Sequence, residues 1–367
     1  MKSREIKNVL IARFSALGDV AMTIPVVYNM CRSNEQVRFI FITRRLPSTI
    51  FLNKPANLEV LPIELDHYRG IAGMRRLASE LKEAYGLDAF ADLHGSLRTR
   101  LLRFFLRLSG VKTACIHKQR LRRNALTRAR KKVMLPLTPT RARYREVFWN
   151  LGLPREDSFD HIFQGAEPSP EVYAAATPPR APGERWIAVA PFAAHAGKIY
   201  PLDLMEQVVA ELAARRDFKI FLFGAGGEES ATLARWRARY GEQLINMAEL
   251  RLGLPAEMAL LRHCSVMLSM DSANMHLASL VRLRVVSIWG ATHPYCGFMG
   301  WHQRREDAVQ LDMVCRPCSI YGNRPCRRGD YHCLRGIQPA YIISHIDRLL
   351  KLQDDKKAGK QSPGPVA

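Results

Sequence analysis

Apolar runs of strand length alternate with longer amphipathic segments along most of the chain. The first run, residues 9–12, leads into Arg13-Phe14-Ser15-Ala16-Leu17-Gly18-Asp19, and an amphipathic stretch then continues to Met30. That order of periods predicts a strand, a tight polar turn and a helix. Residues 37–43 and 58–63 predict two more strands, and 71–85 a helix stopped by Gly86. Residues 88–95 predict a fourth strand running into the turn Asp92-Leu93-His94-Gly95. Strands alternating with helices make this an α/β domain with a parallel sheet covered on both faces.

Between 163 and 185 the alternation lapses. Pro168, Pro170, Pro178, Pro179 and Pro182 crowd a stretch with little periodicity beyond Val172-Tyr173, which predicts an interdomain linker. The pattern then restarts, with strands expected at 187–190, 218–223, 266–270 and 285–288 and a helix over 202–215. The layout is therefore a first α/β domain over 1–162, a linker, and a second over 186–339. A last helix follows over 340–353, for which a path back to the first domain is open. The Lys/Gly/Ser/Pro tail, 354–367, is expected to be disordered.

In doubly wound sheets, ligands bind at the carboxyl ends of the strands, so the polar strand ends are the candidate site. Ser15, Gly18 and Asp19 follow the first strand; Asp92, His94 and Arg98 follow the fourth. Asp19 reads equally well as a helix cap, and loop or capping roles fit each of the others. In the second half, Lys198 after Gly197 precedes a helix and could hold a phosphate, although the spacing is not that of a Walker A loop. The turn 224–227 carries three glycines without completing GxGxxG, and Glu228 beyond it could take ribose hydroxyls. Asp271-Ser272-Ala273-Asn274 can cap a helix whose first N–H groups then suit an anion. His276 lies about a turn further on, where a structural histidine is the competing reading, and Thr292 ends the next strand. Three polar strand ends in one domain suggest a crevice for a nucleotide diphosphate.

Composition adds a partner. The chain has 367 residues, 47% of them hydrophobic, enough for two cores. No apolar run approaches the roughly 20 residues of a spanning helix, and the N-terminus lacks a signal-peptide layout, so a cytoplasmic location is expected. The formal net charge of +21 calls for an anionic partner. Much of the charge sits in 98–145, which carries sixteen Lys and Arg and no Asp or Glu, with Leu101, Leu102, Phe104, Phe105, Leu106 and Leu108 interleaved. That composition suits the inner face of the cytoplasmic membrane, each cation near an anionic surface contributing about 1 kcal/mol. A core-packed helix with a solvated charged face accounts for part of it. Nucleic acid ranks second, resting on charge alone, because neither finger spacing nor an RNA-recognition signature is present.

Of eight cysteines, Cys315, Cys318, Cys326 and Cys333 cluster. Their span is compact enough for four thiolates around one zinc. The gap between pairs is shorter than in most zinc ribbons, and the last two do not form a CxxC pair. Free or packed thiols are the preferred reading, with structural zinc as the alternative.

Taken together, the motifs resemble a known family. Ser15-Ala16-Leu17-Gly18-Asp19-Val20 with Pro25, Asp92-Leu93-His94-Gly95-Ser96-Leu97-Arg98, Lys198-Ile199-Tyr200-Pro201, Asp271-Ser272-Ala273-Asn274-Met275-His276 and Gly290-Ala291-Thr292-His293-Pro294 occur in the order seen in family 9 glycosyltransferases, largely ADP-heptose:lipopolysaccharide heptosyltransferases. The resemblance implies a GT-B fold, two Rossmann-like domains facing across a cleft. It implies inverting, metal-independent transfer of a sugar, from ADP-heptose in most of the family, to a lipopolysaccharide inner-core acceptor, with no cofactor. Asp19 takes the place of the family's base. Lys198, Glu228, Asp271, Ser272, Ala273, Asn274, His276 and Thr292 fall on the sugar-nucleotide side. Ser15, Gly18, Asp92, His94 and Arg98 fall on the side of the anionic, lipid-linked saccharide acceptor. Two positions depart from the family: Ser272-Ala273 stand where it usually has Thr-Gly, and Ile199-Tyr200 where it has a basic residue and Trp. The donor sugar stays open, as does a non-catalytic, anion- or nucleic-acid-binding use of the same scaffold.

Overall fold

The computed structural model describes residues 5–154 and 156–359. The chain divides into two compact units, one comprising Met1–Arg120 and Thr138–Glu167, the other Leu121–Leu137 and Pro168–Ala367.

The first unit is built on five parallel strands: β1 (Asn8–Ala12), β2 (Arg38–Thr43), β3 (Leu58–Pro62), β4 (Ala89–Asp92) and β5 (Lys112–Cys115). Their order is β3-β2-β1-β4-β5, so the winding reverses between β1 and β4. β1 and β2 are near-continuous apolar runs because helices cover both faces of the sheet. Val9, Leu10, Ile11 and Ala12 are fully buried, and fully burying such a side chain is worth roughly 1.5–3 kcal/mol. Gly86 ends the Gly70–Tyr85 helix in the left-handed region, φ 56°, its N–H donating to the Lys82 carbonyl. The opening helix comes in two pieces, Leu17–Ala21 and Ile24–Ser33. Pro25 has no N–H to continue the first piece, and it sits in the first turn of the second.

The second unit repeats the plan with six strands: β6 (Arg185–Ala190), β7 (Phe218–Leu222), β8 (Leu244–Asn246), β9 (Val266–Met270), β10 (Val285–Ile288) and β11 (Ala308–Val309). The order β11-β10-β9-β6-β7-β8 puts its reversal between β6 and β9. Much of the expected linker belongs here. Pro170–Tyr173 forms a 3-10 turn, and the Tyr173 ring stands edge-on to Trp186 at 6.0 Å.

Two expectations about chain layout change. Residues 121–137 pack with the second unit rather than the first, because Leu137 N–H donates to the Tyr295 carbonyl and Lys132 Nζ to the carbonyls of Cys315 and Pro317. The C-terminal helix, Pro339–Lys357, also belongs to the second unit, where Ile342, Ile346 and Leu349 join the core beneath β9 and β10. It includes residues 354–357, expected in the tail, and Asp354 is held by Arg185 Nη2 at 3.0 Å. Residues 360–367 lie outside the described residues.

Candidate functional site

Each sheet reverses its winding where the sequence placed its polar strand ends. In the first unit these are the loops after β1 and β4, in the second those after β6 and β9.

After β1 the chain turns at Ser15-Ala16 and enters the Leu17–Ala21 helix, with Asp19 at its third position. Asp19 is therefore not the cap itself. Its Oδ2 reaches back to accept the Ala16 N–H at 3.3 Å and pairs with Arg13 Nη2 at 2.5 Å. Arg13 Nη1 also donates to the Leu93 carbonyl at 3.0 Å, tying the β1 and β4 loops together. The Tyr144 hydroxyl donates to the Asp19 carbonyl at 3.3 Å. Both side-chain contacts use Oδ2, and 23% of the Asp19 side chain stays exposed. Capping and availability coexist, since the bonds that finish the helix also aim the carboxylate. Gly18 is buried and Ser15 partly so.

After β4, the fully buried Asp92 folds its own turn, with Oδ1 accepting the N–H groups of His94 (3.0 Å) and Gly95 (2.7 Å). Its Oδ2 lies 3.6 Å from Arg103 Nη1. Asp92 thus shapes the loop from inside. His94 Nδ1 accepts the Phe14 N–H at 3.3 Å, which assigns the ring hydrogen to Nε2. Burial, with Arg13, Lys118 and Arg44 nearby, pushes the imidazole down to about 3 against the pull of Asp19. The ring is a neutral N–H donor at working pH. Gly95 holds φ +61°, and a Cβ there would stand 3.1 Å from Lys118 Cε. Arg98 lies in the first turn of the Leu97–Leu108 helix, partly exposed.

In the second unit Lys198 closes the 3-10 turn after β6, and its Nζ lies 2.9 Å from Asp271 Oδ2 at the end of β9. The Thr292 hydroxyl, beyond β10, donates to the same oxygen at 2.8 Å. Thr292 and Asp271 are buried, while Lys198 keeps 16% of its side chain exposed. The two buried residues position the ammonium, and only Lys198 presents charge outward. Glycines make the closeness possible. A Cβ on Gly197 would lie 2.7 Å from the Gly322 carbonyl oxygen, and one on Gly322 2.6 Å from Lys198 Cγ.

Ser272 is the N-cap of the Ala273–Leu280 helix, but its side chain makes no capping bond. It lies 3.3 Å from Ser269 Oγ. Ala273 and Asn274 are half-buried in the first turn, and His276 is buried one turn on. Ala273 has no positive φ, so the glycine usual in the family has no strained conformation to relieve. Glu228 is exposed at the head of its helix. The neighbouring Glu229 takes the structural bond there, accepting the Ala225 N–H at 2.7 Å.

The structure thus gathers Asp19, Asp92 and His94 in one unit and Lys198, Asp271 and Thr292 in the other. Sequence reasoning missed Arg13, Tyr144 and Arg316. Arg13 had a readable signal, a cation at the inner end of an apolar run. Arg316 had none. It is 3% exposed and donates to the carbonyls of Gly290 (2.5 Å), Trp289 (3.0 Å) and Thr292 (2.9 Å), fixing the loop that carries Thr292.

Residues 74–327 match the family model "Glycosyltransferase family 9 (heptosyltransferase)". Lipooligosaccharide heptosyltransferase 2 of Campylobacter jejuni is 25% identical over 134 residues, which is 36% of this chain and 41% of that relative. The alignment therefore spans well under half of that protein. Among solved structures, Escherichia coli heptosyltransferase WaaC with ADP superposes with a TM-score of 0.62 and 17% identity, over 93% of this chain and 99% of that one. The E. coli ADP-heptose LPS heptosyltransferase II gives 0.68 at 16% identity, over 95% and 100%. A family 9 glycosyltransferase from Veillonella parvula gives 0.69 at 14%, over 95% and 99%. These structures share the α/β fold with two parallel sheets.

Proposed function

The chain belongs to glycosyltransferase family 9, and from that premise we propose that it transfers a sugar, heptose from ADP-heptose in the first instance, to a lipopolysaccharide inner-core acceptor. The observation that carries this reading is the Asp19 carboxylate. It is fixed through Oδ2 by Arg13 and the Ala16 N–H, with its exposed remainder able to take a proton.

In the proposed reaction an acceptor hydroxyl attacks the anomeric carbon as its proton passes to Asp19. The bond from that carbon to the diphosphate oxygen breaks, and the electron pair leaves with the nucleoside diphosphate. Attack opposite the leaving group inverts the anomeric centre. Lys198, positioned by Asp271 and Thr292, meets the charge growing on the diphosphate, and the start of the Ala273–Leu280 helix at Ser272, Ala273 and Asn274 adds N–H donors. An ammonium and a helix entrance supply the charge that a metal ion gives other transferases, so no reaction step requires one. His94 donates from Nε2 to an acceptor oxygen, and Ser15, Gly18 and Arg98 lie along the same loops. Glu228 and His276 complete the donor side.

The acceptor is anionic and membrane-borne in this reading, and the basic stretch 98–145 fits it. On the Leu97–Leu108 helix, Leu97, Phe104 and Leu108 recur at i, i+7 and i+11 and are 75%, 55% and 71% exposed, beside Arg100 and Arg107. No helix among the described residues is long and apolar enough to cross a membrane, so the contact proposed is peripheral, on the cytoplasmic side. Nucleic acid is not the expected partner.

The test is nucleoside diphosphate release from ADP-heptose with and without a lipid A core acceptor, for the wild type and Asp19→Asn. Acceptor-dependent release that collapses in the variant supports the reading; release unchanged by Asp19→Asn overturns the base.

A further inference from the structure

Residues 121–137 leave the first unit's sequence to pack on the second, held there by Lys132 and Leu137. Around the helix Arg120–Thr127, which opens this excursion, Arg120, Arg122 and Arg128 are exposed. Arg123 is set apart from them. It is half-buried, and its Nε is enclosed without a hydrogen-bond partner. Its Nη1 donates to the Tyr321 hydroxyl at 2.6 Å, and the guanidinium carbon lies 5.5 Å from the centre of the Tyr321 ring and 5.9 Å from that of Phe298. The two rings are themselves 5.7 Å apart. Aromatic contact of this kind orients a guanidinium and leaves donors of its fork available. Among the described residues, no carboxylate pairs with Arg123.

Two connections tie this cation to the Lys198 turn. Gly322, next to Tyr321, lies against Lys198, where a Cβ would stand 2.6 Å from Lys198 Cγ. The N–H groups of Gly322 and Tyr321 both donate to Ser319 Oγ, at 2.9 and 3.3 Å, which fixes that approach. Cys296, two residues before Phe298, is the second connection. Burial pushes its thiol up to about 12, and the charges acting on it are those of Asp271, Lys198 and Arg123. The guanidinium therefore shares the surroundings of the Lys198–Asp271 pair. Asp271, 2.9 Å from the ammonium, offsets part of the charge that Lys198 presents. The turn itself brings no second cation, since Ile199, Tyr200 and Pro201 come next. A diphosphate that gains charge as it leaves calls for a cation without a carboxylate of its own. Arg123 is one.

We propose that Arg123 is a second cation of the donor site and binds the diphosphate of the sugar nucleotide together with Lys198. The inference rests on the reading of the second unit as the donor side. A planar fork takes two phosphate oxygens at once, which the point charge of an ammonium does not. Tyr321 and Phe298 hold the fork in place, and the excursion 121–137 delivers it. Arg123 binds and moves no proton.

The experiment measures binding of ADP and of adenosine to the full chain by calorimetry, for wild type, Arg123→Gln and Arg123→Lys. Arg123→Gln is expected to weaken ADP binding about 10–100-fold, as the loss of hydrogen bonds to a charged group requires. Adenosine, which has no phosphate, is expected to bind both proteins alike. Arg123→Lys keeps the charge without the fork, and is expected to recover part of the ADP affinity. Equal weakening of ADP and adenosine, or a loss that Arg123→Lys does not repair, overturns the proposal, because packing against Phe298 and Tyr321 then accounts for Arg123. ADP affinity unchanged by Arg123→Gln also overturns it, and a raised KM for the acceptor in that variant would assign the guanidinium to the acceptor's anionic groups instead. A wild type that binds neither ADP nor adenosine overturns the donor reading itself, and the proposal with it.

Discussion

Asp19 and Asp271 both lie beyond the carboxyl ends of strands that flank the winding reversal of their sheets, Asp19 in the helix after β1 and Asp271 directly after β9. They are nevertheless built for different work. Asp19 is held through one oxygen by Arg13 and keeps 23% of its side chain exposed. Asp271 is 3% exposed and is bound by Lys198 and Thr292 together. The first carboxylate keeps a face open to solvent; the second is enclosed and holds Lys198 in place. An aspartate after a parallel strand is thus a position that the fold supplies, and its surroundings decide whether it reacts or positions.

The comparison breaks most visibly in turnover. Asp19→Asn keeps the shape and the Ala16 contact but removes the proposed base, and is expected to lower kcat by about 10²–10⁴-fold, or roughly 3–5 kcal/mol of barrier. The KM for the sugar nucleotide should hardly move. A large rise in donor KM with kcat preserved would show that Asp19 binds rather than reacts.

Asp271→Ala tests the other half by stability. It strands the Lys198 ammonium in a mostly buried place, and breaking such a pair costs about 3–5 kcal/mol. Urea unfolding should show that loss in the second unit. The double variant Lys198→Met/Asp271→Ala should cost less than the sum of the single changes, because no orphan charge remains. Additive losses would mean the two side chains are energetically independent.

Much of this was legible in the chain and some was not, for physical reasons. β1, β2, β9 and β10 announce themselves because both faces are covered and, apart from Asn8 and Arg38 at the starts of β1 and β2, every residue is apolar or small. β5 is an edge strand of Lys112, Thr113, Ala114 and Cys115, none of them buried, so no apolar run marks it. The first motifs placed Asp19 and His94 at one sheet edge, but not the Arg13 bridge between their loops. The placement of 121–137 in the second unit rests on Lys132 and Leu137 meeting residues more than 150 positions away, which no local period encodes. At Ala273, where the resembled family usually has Gly, the backbone has no positive φ that would call for one.

Histidines sharpen the comparison through pH. Burial holds His94 down to about 3 in the first unit and His293 to about 4 in the second, from an ordinary 6.5. Below that ordinary value the unfolded chain binds the extra proton, so stability is complete above about pH 6.5 and falls as pH drops toward these lowered values. Each group adds at most about 1.4 kcal/mol per pH unit. Burial raises Glu257, in the second unit, from 4.5 to about 7, giving stability present below 4.5 and lost as pH rises through 7. Between 4.5 and 6.5 the two second-unit slopes oppose, leaving that of His94. His94→Gln should therefore flatten the difference between melts at about pH 5 and pH 7. An unaltered difference would mean that the ring does not stay neutral in the fold.

The smallest effect tests the departure from the family at Ala273. Gly stands there in most members, yet here the residue opens a regular helix with no positive φ. Ala273→Gly then gains no conformational freedom that the native backbone uses, and it adds disorder to the unfolded chain. The expected result is a loss of up to about 1 kcal/mol in denaturant unfolding with unchanged affinity for ADP. The opposite outcome, tighter ADP binding despite lower stability, would mean that the Ala273 methyl holds the diphosphate away from the helix entrance. Lys198 would then carry charge stabilisation that the N–H groups beside Ser272 could otherwise share, and the two ends of the proposed donor site would differ in strength more than their geometry indicates.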